Sequence, residues 1–181
     1  MPNIPNTKEH PILFSSSSIT AILEGCKTQT RRIIRTHAVR SSCPYGQAGD
    51  LLWVIEGIRR HFPLGATYTS DLTPVMGKGP TGVSLYGRAQ VTWHWKRNYL
   101  AARFMPRWAS RIMLEIVRVR VERLQDISEV DAKAEGVTAA SSARESYQTL
   151  WDQINKKRGW AWECNPWVWV IEFKKLAESC E

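Results

Sequence analysis

The chain has 181 residues, 43% of them hydrophobic, which makes one globular domain the default and excludes disordered or collagen-like classes. No apolar run approaches the ~20 residues of a membrane helix. Met1 to Thr20 lacks the basic-then-apolar order of a secretory signal, so a cytoplasmic location is expected.

The net charge of +8 is unevenly spread: residues 1–60 balance at +4, 61–87 at zero, 88–123 at +7 and 124–181 at −3. A basic half joined to an acidic tail points to an anionic partner such as nucleic acid, although a merely solubilising surface gives the same count. Cys26, Cys43, Cys164 and Cys180 form no C-x-x-C pair and lie far from the four histidines. No metal site and no disulfide scaffold is expected from them.

In chain order, three prolines make residues 1–11 an extended arm. Ser18 is expected to cap a short helix with apolar positions Ile19, Ile22 and Leu23, which Gly25 ends. Lys27 to Arg35 holds four basic residues and no acid, and reads as a strand or loop. Gly49-Asp50 marks a turn before a strand over Leu51 to Glu56.

Between 57 and 107 the pattern weakens into an inserted, loop-rich region. A strand at Tyr68, a mobile loop around Gly77 to Gly82, and a further strand over Arg88 to Trp95 are expected there. From Arg111 to Leu124 the alternation is regular, with one phase slip between Ile116 and Val117 that a β-bulge would produce.

Ser128 and Ser142 each open a helix, ended by Gly136 and Gly159. On the second helix Tyr147, Leu150, Trp151 and Ile154 form a core-facing stripe. A last strand alternates Trp167, Trp169, Ile171 and Phe173 against Val168, Val170 and Glu172. The fold class expected is α+β, a small β-barrel of about five to six strands decorated by short helices, in a single domain over 1–181.

Lys27 stands just past a helix end. A lysine there can pair with phosphate, or lose its proton if desolvated and act as a base. Thr30, three residues on, is a hydroxyl that such a base could activate, although K-x-x-T is a frequent accident.

Gly25-x-Lys27-x-x-x-x-Arg32 matches the G-x-K-x-x-x-x-R signature of the ASCH superfamily, a relative of PUA RNA-binding domains. The chain resembles phage and prophage ASCH proteins in Pro11-Ile-Leu-Phe14, Cys43-Pro-Tyr-Gly46, Met105 to Arg111 and Asn165 to Trp169. It is also similar to bacterial N4-acetylcytidine amidohydrolases, whose K-T-x-T segment here reads Lys27-Thr28-Gln29-Thr30.

That resemblance implies a Thr30 nucleophile, a Lys27 base and a glutamate late in the following helix, which falls at Glu135. Arg32 and Glu56 are the implied substrate contacts, with no metal and no cofactor. Two departures stand out: the chain is longer through 57–107, and it has Trp53-Val-Ile-Glu-Gly57 where the phage relatives read W-V-R-E. The alternative the sequence keeps open is an RNA-binding module, with ribonuclease activity in some relatives. There the basic segment would grip phosphates, and Trp93 and Trp95 beside Lys96-Arg97 would stack on bases.

Overall fold

The computed structural model describes residues 7–35, 42–76, 81–82, 90–138 and 142–177. The strands are β1 (Glu9–Leu13), β2 (Gln29–Ile33), β3 (Leu51–Ile55), β4 (Ile58–His61), β5 (Gly65–Tyr68), β6 (Thr81–Gly82), β7 (Gln90–Val91), β8 (Tyr99–Leu100), β9 (Met113–Arg123) and β10 (Trp167–Lys175). The helices are α1 (Ser16–Leu23), α2 (Glu129–Ala134) and α3 (Ala143–Asn155). No helix among these residues is long and apolar enough to cross a membrane.

The main sheet has the order β1-β3-β9-β10-β2. Its two central strands, β9 and β10, are antiparallel partners over nearly their whole length. Glu172 faces Arg118 while Phe173 faces Ile116, so Val117 is the extra residue of a bulge at the phase slip seen in the sequence. Ile112, Leu114 and Ile116 are buried before it, whereas Val117 is 52% exposed.

Mixed α+β content and five strands in the main sheet agree with the expected class. Among the described residues, however, no ladder joins β1 to β2. β1 and β2 are the outer strands of this ladder order, and α1 bridges them in sequence. The free edge of β2 is therefore left to line a cavity.

Two cores cover the sheet. One gathers Ile12, Ile19, Ile22, Leu52, Leu114 and Phe173 under α1; the other gathers Leu124, Tyr147, Trp151, Trp162, Val168 and Val170 under α2 and α3. Residues 168 to 173 of β10 serve both cores, which explains why both of its faces are apolar.

Several local expectations shift. The α1 N-cap is Ser15, whose Oγ accepts from the Ser18 backbone N–H at 3.3 Å, so Ser18 lies inside the helix. Residues 9–11 belong to β1, where they pair in parallel with β3 rather than trailing as an arm. Trp167 stands at the exposed end of β10 with the Arg123 guanidinium 4.3 Å from its ring, and Ile154 is 43% exposed. The expected strand over 88–95 is limited to Gln90–Val91 among the described residues, and much of the 77–82 loop lies outside them.

The described residues of the 57–107 region hold more regular structure than the sequence suggests. β4, β5 and β8 form a second sheet over a third core of Ile58, Ala66, Tyr68, Val75, Val91 and Met105. Trp93, Trp95 and Trp108 pack against that core.

Glu56 anchors this layer. Arg111 donates to its two carboxylate oxygens, both at 2.9 Å, Ser70 donates at 2.7 Å, and Arg111 also pairs with Asp71 at 2.8 Å. Glu56 is 1% exposed, so replacing it with alanine strips a half-buried guanidinium of its main partner. Glu56→Ala should lower unfolding free energy by about 3 kcal/mol in a urea titration. A change below 0.5 kcal/mol, about the level of an ordinary surface substitution, would remove the anchoring role.

Candidate active site

The backbone around Lys27 is held from three sides. Gly25, at φ 78°, turns the chain out of α1, and the Ala21 carbonyl then accepts from the N–H groups of Cys26 and Lys27 at 2.9 and 3.0 Å. The Thr28 N–H donates to the Ala134 carbonyl at 2.8 Å, and its own carbonyl accepts from Phe173 at 2.8 Å. Lys27 is thereby locked into an isolated antiparallel bridge with Glu135.

Glu135 is the C-cap residue of α2, followed by Gly136 at φ 82°. A carboxylate at a helix C-terminus opposes the helix dipole and needs compensation. It receives two cations. Lys27 Nζ donates to the Glu135 carbonyl oxygen and to Oε2, each at 2.7 Å, and Arg31 Nη1 donates to Oε1 at 3.1 Å. Lys27 and Glu135 are 5% and 4% exposed, so this is a dry ion pair.

The pair continues into a wider network. Arg31 bonds Glu122 through Nε at 3.1 Å and through Nη2, and lies 3.5 Å from Asp131. Arg120 joins Glu122, Asp131 and Glu172. Burial is the largest influence on Lys27 and pulls its pKa down. The Glu135 charge and hydrogen bond push back, the nearby Arg32 and Arg31 charges add to the lowering, and the result lies below the ordinary lysine range. For Arg31, burial alone would also lower the value, but Glu135, Tyr147 and Glu122 outweigh it and leave it raised.

Thr30 is buried on β2 opposite Ile171, and its hydroxyl makes no side-chain hydrogen bond with the described residues. Arg32 lies under the rings of Phe14 and Tyr45, 5.0 and 5.8 Å from their centroids, and its Nη2 donates to the Leu13 carbonyl at 2.6 Å. Its Nε is buried and without a partner among the described residues.

Lys27, Thr30, Arg32 and Glu135 line one cavity of about 850 Å³ along the free edge of β2, walled by Trp151 and Trp169. Four of the five residues read from the sequence as site candidates therefore converge. Glu56 does not: it lies among the contacts of the third core and faces no part of this cavity. Arg31, Phe14, Tyr45 and Tyr147 also line it, although the sequence does not mark them as site candidates. Arg31 differs from Arg32 only by strand parity, and parity alone does not say which side carries the acids.

Gly136 sets how closely α2 approaches Lys27. A Cβ added there would lie 2.9 Å from the Cβ atoms of both Lys27 and Ala21, on a backbone that disfavours side chains. Gly136→Ala should therefore cost about 2 kcal/mol or more of stability in chemical denaturation. A neutral result would show that the junction is not tightly packed.

No family model matches the chain, and no curated protein does. Among solved structures that resemble it, two are similar at low identity. An ASCH domain from Lactobacillus crispatus is 13% identical, with 93% of this chain and 79% of that one covered and a TM-score of 0.49. A protein of the DUF984 family from Enterococcus faecalis is 10% identical, with 96% and 84% covered and a TM-score of 0.49.

Proposed function

We propose that the chain is an ASCH-type, metal-independent amidohydrolase that removes an acyl group from a modified pyrimidine nucleoside such as N4-acetylcytidine. The observation that carries this reading is a buried lysine, its pKa lowered by desolvation and held by Glu135, in one cavity with the free hydroxyl of Thr30.

In the proposed reaction Thr30 Oγ attacks the acyl carbonyl while neutral Lys27 takes the hydroxyl proton. The oxygen of the tetrahedral intermediate is met by donors such as the unpartnered Arg32 Nε. The C–N bond then breaks as Lys27 returns its proton to the exocyclic amine, leaving an acyl-threonine. Water, deprotonated by Lys27, attacks that ester, and the departing Thr30 oxygen recovers the proton. Glu135 keeps the lysine amine on the reacting side of the cavity.

Chromatography of N4-acetylcytidine incubated with the protein should show conversion to cytidine. Thr30→Ala and Lys27→Met should each lose at least about 100-fold in kcat. A base acts only when deprotonated, so kcat/KM should rise with pH and level off above the Lys27 pKa, below the usual lysine value of 10.5. No turnover, or full turnover by either variant, would overturn the mechanism.

A second reading, an RNA-binding module, is favoured by a separate surface. Arg59, Arg60, Phe62 and Tyr99 line an open depression of about 750 Å³ on β4 and β8, with Phe62 92% exposed. Exposed aromatics among arginines suit stacked single-stranded bases. That reading requires affinity for an RNA oligonucleotide that falls steeply with salt and weakens in Phe62→Ala. Salt-independent or absent binding would dismiss it.

A further inference from the structure

The charge inside the cavity exceeds what its one acid can answer. Its lining cations are Lys27, Arg31, Arg32, Arg35 and Arg158, and its lining carboxylate among the described residues is Glu135. Lys27 and Arg31 are already committed to Glu135. Arg32 has only a backbone carbonyl as its hydrogen-bond acceptor, and its Nε is buried and unpartnered. Arg35 and Arg158 are exposed and form no hydrogen bond or ion pair with any described residue. Three guanidiniums thus face one cavity without a carboxylate.

Their positions along the walls are ordered. Arg31 lies 5.9 Å from the Tyr147 ring, so β2 and α3 meet beside the Lys27–Glu135 pair. From there β2 leads away by about 13 Å between Thr30 and Ile34. α3 leads away by about 12 Å between Tyr147 and Asn155. Arg35 follows β2 and Arg158 follows α3 in sequence, and both line the cavity together with Ile33, Leu150, Trp151 and Ile154. The cavity thus holds reactive groups, apolar wall and unanswered positive charge together.

We infer that the cavity takes a phosphorylated pyrimidine nucleoside, with the base amide at Lys27 and Thr30 and the phosphate between Arg35 and Arg158. A neutral nucleoside would leave those guanidiniums unmatched, whereas arginine pairs with phosphate through two parallel hydrogen bonds. The inference rests on the proposed function for its reacting end, while the phosphate end stands on charge and geometry alone. The phosphate can belong to a free nucleotide or to a nucleotide within a strand.

Binding of the reaction product separates these questions from catalysis. Cytidine, cytidine 5′-monophosphate and a trinucleotide with a central cytidine are titrated calorimetrically into the full chain at low salt. The monophosphate or the trinucleotide should bind about tenfold or more tighter than cytidine. Whichever of the two gains more identifies the source of the phosphate. The double variant Arg35→Gln/Arg158→Gln, checked by circular dichroism for an unchanged fold, should lose that gap. Lys174→Gln, which removes a charge outside the cavity, should keep it. Equal affinity for all three ligands, or a gap retained in the double variant, would overturn the inference. If the gap appears but N4-acetylcytidine is not hydrolysed with or without its phosphate, the amidohydrolase reading fails and the phosphate site stands.

Discussion

The buried pair of Lys27 and Glu135 is the contact on which the rest of the arrangement depends. Taking a lysine and a carboxylate out of water costs several kcal/mol per ion, and their attraction offsets this only when the remaining donors and acceptors are satisfied. Here they are. The Glu135 backbone oxygen takes a second lysine hydrogen, and Arg31 covers the other carboxylate oxygen. The pair joins residues 108 positions apart, so α1, β2 and the end of α2 meet at one point. The same desolvation that makes the pair costly lowers the lysine pKa, and the structural constraint and the candidate chemistry have one cause.

That pair also reorganises the meaning of the net charge. The acidic last third of the chain is not a separate tail. Asp131, Glu135 and Glu172 from that third, with Glu122 from β9, surround Arg31, Arg120 and Lys27. The excess positive charge lies instead where no acid among the described residues reaches. Part of it is at Arg32, Arg35 and Arg158 along the cavity, and part is on the outer surface of the 57–107 layer at Arg59 and Arg60. Glu56 and Asp71 meet Arg111 and hold that layer to the main sheet.

The tryptophans divide along physical lines. Trp151 and Trp162 are core residues of the second cluster, and Trp169 reaches the cavity wall. Trp93 and Trp95, which their basic neighbours suggest as a stacking platform, pack instead on the third core with ring centroids 4.9 Å apart. Among the described residues, the exposed aromatic positions of that layer are Phe62, Tyr99 and Phe104. Composition marks a basic, aromatic region, but exposure decides which rings a ligand can reach.

Much of the local structure was legible in the sequence because it depends on neighbours a few residues away. The bulge at Val117, the Ser128 and Ser142 caps and the left-handed glycines 25, 136 and 159 all follow from periodicity and turn chemistry. The G-x-K-x-x-x-x-R spacing and the resemblance it carries led to Lys27, Thr30, Arg32 and Glu135, which line one cavity. Glu56 and Arg31 show the limit. A glutamate at the end of a strand and an arginine in a basic run look alike whether they face a ligand or a buried partner. Their roles are set by Arg111, 55 residues from Glu56, and by Glu135, 104 residues from Arg31. The sequence by itself determined the helices, the long strands of the main sheet and which charges are available. Only the tertiary structure decided which of those charges are neutralised, because a charge is buried or left free by partners that local pattern cannot specify.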